Sequence, residues 1–197
     1  GRPPRRWRDR AIAAAVGLPF ARGSMGHALG IEAALARCEP GDIHVVADSD
    51  TALFAEGWDD MLEQALAPGG YGIVGVPYED IGGFSSGADR HQTYKRIATT
   101  TWMALAPHLD FRGLRVLPDK DGTIEIDGPE RAAIYNLPVG ASVLKDVGWQ
   151  IPGFIHDRGI RHLALEMVKP DSGRAGPLAG TSPYHDEFHW DGRPFVA

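Results

Sequence analysis

The chain has only one cysteine, Cys38, among its 197 residues. A single thiol excludes a disulfide within the chain and any zinc site that needs several cysteines. The sequence also lacks an apolar run near the roughly 18 residues that cross a bilayer, and it shows no secretory signal pattern. We therefore expect no transmembrane segment, and the scarcity of cysteine favours a reducing, cytoplasmic location.

The chain also has fewer basic than acidic residues. The chain has 20 Lys and Arg residues against 26 Asp and Glu, which gives a formal net charge of −6. Because general nucleic-acid binders are normally basic, this balance predicts no nucleic-acid partner. A small anionic substrate stays compatible with it, since a bound metal ion can invert the local field. The length and the hydrophobic content of 43% predict one globular domain over residues 1–197, with residues 1–10 frayed.

The strongest chemical signal is a short apolar run that ends in two carboxylates. Residues 43–47 contain no good turn former and predict a strand buried on both faces, as in a mostly parallel sheet. Asp48 and Asp50 follow it, at the end of the strand where such sheets gather ligands, and the period of the pleat sends both side chains to the same side. Two converging carboxylates suit Mg²⁺ or Mn²⁺ and a phosphate-bearing substrate. The alternative is that Asp48 forms an Asx-turn and Asp50 caps the next segment.

Helical and strand patterns alternate along the first part of the chain, which predicts an α/β fold with a mostly parallel central sheet flanked by helices. The predicted elements are a helix over 27–37, a strand over 43–47, a helix over 58–66 and a strand over 71–77. Apolar residues at helical spacing from Tyr94 to Leu105 predict a further helix. Later segments predict a hairpin of 114–117 with 123–127, a short helix within 138–149, a helix over 150–158 closed by Gly159, and a strand over 161–168.

The order of these parts carries a resemblance to a known family. Residues 26–58 contain a helix, a turn, a strand and the start of an amphipathic helix, and the strand ends in Val45-Val46-Ala47-Asp48-Ser49-Asp50. This arrangement resembles the GT-A-fold glycosyltransferases, particularly family 2. The resemblance implies a nucleotide-diphospho-sugar donor, an unknown acceptor and a Mn²⁺ or Mg²⁺ ion that bridges the two phosphates. It also implies that Asp48 lies toward the ribose and that Asp50 binds the metal.

The same resemblance assigns roles near the end of the chain. The closing segment of the family often ends in a metal-facing histidine, and this role falls here to His185 or His189. The tail over 170–197 is then expected to fold back to the metal site. Trp190, beside the histidines, is a candidate for stacking on the sugar or the base.

An inverting transfer needs a base that deprotonates the acceptor hydroxyl. In the family a Glu-Asp pair usually supplies it and is expected near 146–149, yet the only Glu-Asp of this chain is Glu79-Asp80. Asp80 and Asp146 are therefore both candidates for the base. Glu187 is a further catalytic candidate, because the segment 184–187 resembles one in some retaining glycosyltransferases whose glutamate approaches the anomeric carbon.

Other interpretations of the same residues stay open. The two histidines can be half-exposed tail residues, and Glu187 can orient a ligating imidazole without touching substrate. The Asp-x-Asp carboxylates can also serve a metal-dependent phosphatase or nucleotidyltransferase, which would release phosphate or pyrophosphate. A third candidate is a non-catalytic GT-A-derived binding domain. It is favoured by the lack of a core strand before Arg22, where the family's first strand is expected, and by the displaced Glu-Asp pair.

Overall fold

The computed structural model describes residues 24–48, 51–77, 98–119, 122–135, 137–145, 147–168 and 187–196. In this part of the chain the helices are α1 (Ser24–Leu35), α2 (Trp58–Ala65), α3 (Pro129–Tyr135) and α4 (Ile151–Asp157). The strands are β1 (His44–Ala47), β2 (Ile73–Pro77), β3 (Ala98–Leu105), β4 (Thr123–Glu125), β5 (Ser142–Leu144), β6 (His162–Ala164), β7 (Glu166–Val168), β8 (Glu187–Trp190) and β9 (Arg193–Val196). No helix among those described is long and apolar enough to cross a membrane.

The central sheet has four strands in the order β1-β3-β2-β6. The expectation of a mostly parallel sheet is wrong, because β3 runs antiparallel to both β1 and β2, and only β2 and β6 pair in parallel. The reversal of β3 has a useful consequence. Since β3 alone points the other way, β1, β2 and β6 all end at the same edge of the sheet, which we call the carboxyl edge.

Helices cover both faces of this sheet, as the sequence predicts. One hydrophobic cluster joins α1 and α4 to the sheet and contains Ala28, Ile31, Leu35, Ile73, Met103, Leu105, Ile151, Phe154 and Ile155. The other joins α2 to the opposite face and contains Leu62, Leu66, Val74, Val76, Trp102 and Ala104. The amphipathic stripe predicted for α2 is confirmed, because Leu62 and Leu66 are buried and the remaining stripe residues pack partly against the same cluster.

The helix predicted from Tyr94 to Leu105 is wrong where the structure describes it. Residues 98–105 form β3, which lies between β1 and β2 and pairs with both. Three consecutive threonines, 99–101, favour an extended strand because β-branched side chains are restricted in a helix. Trp102 to Leu105 are then almost wholly buried, with both faces of the strand covered, so the helical spacing of the apolar residues is coincidental.

The region between β3 and β6 departs from the sequence prediction in its pairing. Residues 114–117 form no strand, and β4 pairs antiparallel with β5 instead. The segment 138–149 holds β5 where a short helix was expected, and α3 was not predicted. The later elements are confirmed: α4 is followed by Gly159 with φ of +60°, and the strand expected over 161–168 is present as β6 and β7.

Glu32 on α1 binds the segment 115–117, which follows β3. Its Oε1 accepts hydrogen bonds from the backbone N–H of Val116 at 2.9 Å and of Leu117 at 3.2 Å. The guanidinium of Arg115 adds an Nε–Oε1 contact of 3.1 Å and an Nη2–Oε2 contact of 3.1 Å. The glutamate side chain is 16% exposed whereas that of Arg115 is 63% exposed, so the contacts with the backbone N–H groups are better shielded from water than the ion pair.

The Glu32→Ala substitution is expected to lower the free energy of unfolding by about 1–3 kcal/mol, because it leaves part-buried backbone N–H groups without an acceptor. Urea unfolding followed by circular dichroism measures the change. Glu63→Ala is the matched control, since Glu63 is an exposed glutamate on α2. Equal stability of the two variants would show that the carboxylate does not hold this segment.

The three C-terminal strands form a second sheet, in the order β7-β8-β9, that is joined to the carboxyl edge at two places. On one side β6 runs into β7 through Leu165, whose N–H donates to the carbonyl of Gly75 at 2.9 Å. On the other side Leu53 and Val196 form an antiparallel bridge, and the N–H of Phe54 donates to the carbonyl of Phe195 at 2.9 Å. The C-terminal sheet is therefore tied both to β2 and to the segment that follows Asp48 and Asp50.

Candidate functional site

Asp48 lies directly after β1, at the carboxyl edge. Its backbone carbonyl accepts a hydrogen bond from the N–H of Thr51 at 3.2 Å. The Asp48 side chain remains 38% exposed, and its Oδ1 lies 3.5 Å from Nε2 of His27. Because both side chains are more than a third exposed, the pair contributes little to stability, and the carboxylate can reach a ligand from solvent.

His27 is a site residue that sequence reasoning missed. It lies in the first turn of α1 and is 36% exposed, and the fold brings this helix end beside the end of β1. Nothing local in the sequence signals the contact, because the two residues belong to different elements and meet only through packing of α1 on the sheet. A positively polarised helix start next to a carboxylate suits a site for an anionic ligand bound together with a cation.

The strand that presents Asp48 is less buried than its sequence predicts. Its residues alternate between half-buried and exposed, and Val45 is 41% exposed. The prediction of burial on both faces is wrong, because β1 is the outermost strand of the described sheet and pairs there only with β3.

Glu187 and His189 form a buried polar pair on β8. Their side chains are 1% and 2% exposed, and His189 Nε2 lies 2.5 Å from Glu187 Oε1. Phe188 and Trp190 belong to or pack against the hydrophobic cluster beneath α2. Since side chains alternate along a strand, Glu187 and His189 project from the other face of β8, which brings the two groups together.

The second ring nitrogen of His189, Nδ1, is buried and has no hydrogen-bond partner among the residues that the structure describes. Buried polar atoms are nearly always satisfied, so an exception needs an explanation such as an ion or a water. A neutral imidazole nitrogen is a good ligand for Mn²⁺ and a poorer one for Mg²⁺. The chemistry of this atom therefore fits the metal-binding role predicted for His189.

Trp190 lies beside this pair and helps to fix the C-terminal sheet. Its ring centroid is 5.0 Å from that of Phe195, whose ring in turn meets Trp102 edge-on at 5.4 Å. Trp102 is opposite Ala47 in the pairing of β3 with β1, so the aromatic contacts connect β9 to the strand that carries Asp48. Trp190 remains partly exposed, and its stacking on a sugar or base stays a prediction.

Several residues away from this edge have pKa values that their surroundings shift. Burial raises the pKa of the Cys38 thiol and of the Tyr135 hydroxyl. The hydrogen-bonded guanidinium of Arg112 holds the pKa of Asp110 well below its usual range. Perturbed pKa values can mark catalytic groups, but Cys38 lies after the turn that ends α1, Tyr135 lies at the end of α3, and Asp110 lies in the loop after β3. The described residues show no other feature of a site at these positions.

The predicted site residues divide into two groups. Asp48, Glu187, His189 and Trp190 all lie in the segments that meet at the carboxyl edge or in the sheet attached to it. Asp50, Asp80, Asp146 and His185 fall outside the described residues, as does most of the tail over 170–197. Within the described ranges no three His, Cys, Asp or Glu side chains are grouped closely enough to hold a metal ion. The full ligand set therefore stays a prediction.

Comparisons with known proteins add no further guidance. The chain matches no protein-family model, and neither curated proteins nor solved structures gave a match. The functional argument therefore depends on the residues at the carboxyl edge.

Proposed function

We propose that this protein is a glycosyltransferase of GT-A type that moves a sugar from a nucleotide-diphosphate donor to an acceptor hydroxyl, with Mn²⁺ or Mg²⁺ as cofactor. One observation carries the proposal. Leu53, which follows the Asp-x-Asp sequence, forms a β-bridge with Val196 of the C-terminal sheet. The same sheet contains His189, whose buried Nδ1 has no hydrogen-bond partner among the described residues. Carboxylate and imidazole are the ligand types that a Mn²⁺ site combines.

The residues of the chain have distinct roles in this proposal. Asp50, His189 and His185 would hold the cation, which, when bound, stabilises the negative charge that develops on the departing nucleoside diphosphate. Asp48 binds the donor toward its ribose, next to His27. Trp190 stacks on the sugar or the base. Asp80 or Asp146 takes the proton of the acceptor hydroxyl if the anomeric centre inverts.

Thermal unfolding in the presence of nucleoside diphosphates tests the binding part of the proposal. We expect one of them to stabilise the protein only when Mn²⁺ is present, by about 2.7 kcal/mol at a hundredfold excess over its dissociation constant. Asp50→Ala is expected to remove this stabilisation. The control is Asp42→Ala, which deletes an exposed aspartate before β1, at the other end of the same strand. Stabilisation that needs neither the cation nor Asp50 would contradict the proposal.

The reaction products separate the proposed activity from its rivals. A glycosyltransferase slowly hydrolyses its donor when no acceptor is present, and it releases a nucleoside diphosphate and free sugar. A phosphatase or nucleotidyltransferase using the same carboxylates releases phosphate or pyrophosphate. A binding domain gives the Mn²⁺-dependent stabilisation without any release.

A further inference from the structure

The bond between Glu187 and His189 restricts where the proton of the imidazole can be. The contact of 2.5 Å between Glu187 Oε1 and His189 Nε2 is a hydrogen bond, and because an ionised carboxylate can only accept, Nε2 is the donor when Glu187 is ionised. Both groups are almost completely buried, and β8 is paired with β7 and β9 on its two sides. The geometry is therefore held by the sheet and is not one of several surface rotamers.

The state of the other nitrogen follows from the same surroundings. If Nδ1 also carried a proton, a buried N–H donor would lack an acceptor among the described residues, which is costly. With Nδ1 unprotonated, its lone pair is available to a ligand. A ring nitrogen held in this way, with the opposite N–H donated to a carboxylate, is the usual arrangement of a metal-binding histidine.

We propose that Glu187 is a positioning residue that fixes His189 in the Nε2–H tautomer, so that Nδ1 is the atom that binds the divalent cation. The cation-binding half rests on the proposed function, whereas the tautomer half does not. The assignment differs from the catalytic role that the sequence suggests for Glu187. A carboxylate that is 1% exposed and bonded to its neighbour is poorly placed to reach the anomeric carbon of a sugar.

The tautomer is measured directly on the metal-free wild-type protein. Long-range ¹H–¹⁵N correlation NMR distinguishes a protonated from an unprotonated ring nitrogen, and the signals of His189 are assigned by their loss in His189→Gln. We expect Nε2 to be protonated and Nδ1 to be unprotonated at neutral pH. A proton on Nδ1 would overturn the proposal, and this outcome needs no variant of Glu187 to fold.

The effect on the cation is measured by titrating Mn²⁺ and following the electron paramagnetic resonance signal of the free ion. Glu187→Gln is expected to weaken Mn²⁺ binding about 10–100-fold, because the amide no longer forces the proton onto Nε2. The control is Glu166→Gln, which removes the same charge from the residue paired with His189 on the neighbouring strand. Equal affinity in Glu187→Gln and wild type overturns the positioning role.

The two proposals fail in different ways. If the wild type shows the Nε2–H tautomer but binds neither Mn²⁺ nor a nucleoside diphosphate, the proposed function and the cation-binding half of this proposal fail, and only the tautomer assignment stands. If Mn²⁺ binds and supports nucleotide binding but Nδ1 carries the proton, the proposed function stands and the role of Glu187 is overturned. Circular dichroism of each variant establishes that the fold is retained.

Discussion

Replacing Phe195 with alanine is expected to lower the free energy of unfolding by about 3–5 kcal/mol, the range for deleting a buried aromatic ring. Phe195 is 0% exposed, and its ring contacts Trp102 at 5.4 Å and Trp190 at 5.0 Å between centroids. The substitution leaves a cavity where the C-terminal sheet meets the central sheet. Urea unfolding followed by tryptophan fluorescence measures the loss, because two of the tryptophans line that cavity.

Phe111→Ala is the matched control for this experiment. Phe111 is 3% exposed and stacks on Phe154 in the cluster on the other face of the central sheet. Both variants should lose stability, but only Phe195→Ala should also weaken the Mn²⁺-dependent binding of a nucleoside diphosphate, measured well below either unfolding temperature. If both variants bind as well as the wild type, the attachment of the C-terminal sheet is not needed for the site.

The Asp50→Asn variant is expected to release nucleoside diphosphate from the nucleotide-sugar donor about 10²–10³-fold more slowly than the wild type. The amide keeps the size of the side chain but removes the charge that holds the cation, and losing one such group that stabilises transition-state charge typically costs this much. The donor is found by screening uridine, guanosine, adenosine and thymidine diphosphate sugars. Release is followed by chromatography of the nucleotide products.

Asp42→Asn is the control for this second prediction, since it makes the same chemical change at an exposed position before β1. Its rate should equal that of the wild type. Removing divalent cations with a chelator should slow the wild type to the rate of Asp50→Asn and should barely change the variant. A chelator-resistant wild type, or an Asp50→Asn variant at full rate, would contradict a cation held by this residue.

The elements that the sequence predicts well are those whose pattern is set by local chemistry. Helix α2 has an apolar stripe at helical spacing, and β2 is a short apolar run that follows a glycine-containing turn. Helix α4 is followed, two residues after its end, by a glycine that adopts positive φ. In each case the residues that decide the structure lie within the element or next to it, so a single sequence contains the signal.

The elements that the sequence predicts poorly are those decided by distant partners. The strand β3 has apolar residues that fit either a helix or a buried strand, and its pairing with both β1 and β2 decides between them. The partner of β4 is β5 and not the nearer segment 114–117, which is occupied by Glu32 of α1. Tertiary contacts of this kind override local propensity, and one sequence does not reveal them.

The candidate site shows the same division. Asp48 is predicted because an aspartate directly after an apolar strand is a local pattern. His189 is predicted because it lies four residues after another histidine, in a run that also contains two acidic residues and several aromatic ones. The contact of His27 with Asp48 depends on how α1 packs on the sheet, which the sequence does not reveal. The hydrogen bond between Glu187 and His189 requires both residues to lie on one face of a strand, and no strand is predicted from the sequence there.

The bridge between Leu53 and Val196 also bears on the order in which the molecule folds. A contact between segments so far apart in the sequence closes a very long loop. The chain loses conformational entropy when this loop closes, before packing of the two segments can stabilise the structure. Helix α2 and strand β2 need only nearby residues and can form first. We therefore expect the carboxyl edge to acquire its second sheet in the last steps of folding, so that an incompletely synthesised chain holds the acidic strand end without the imidazole that accompanies it.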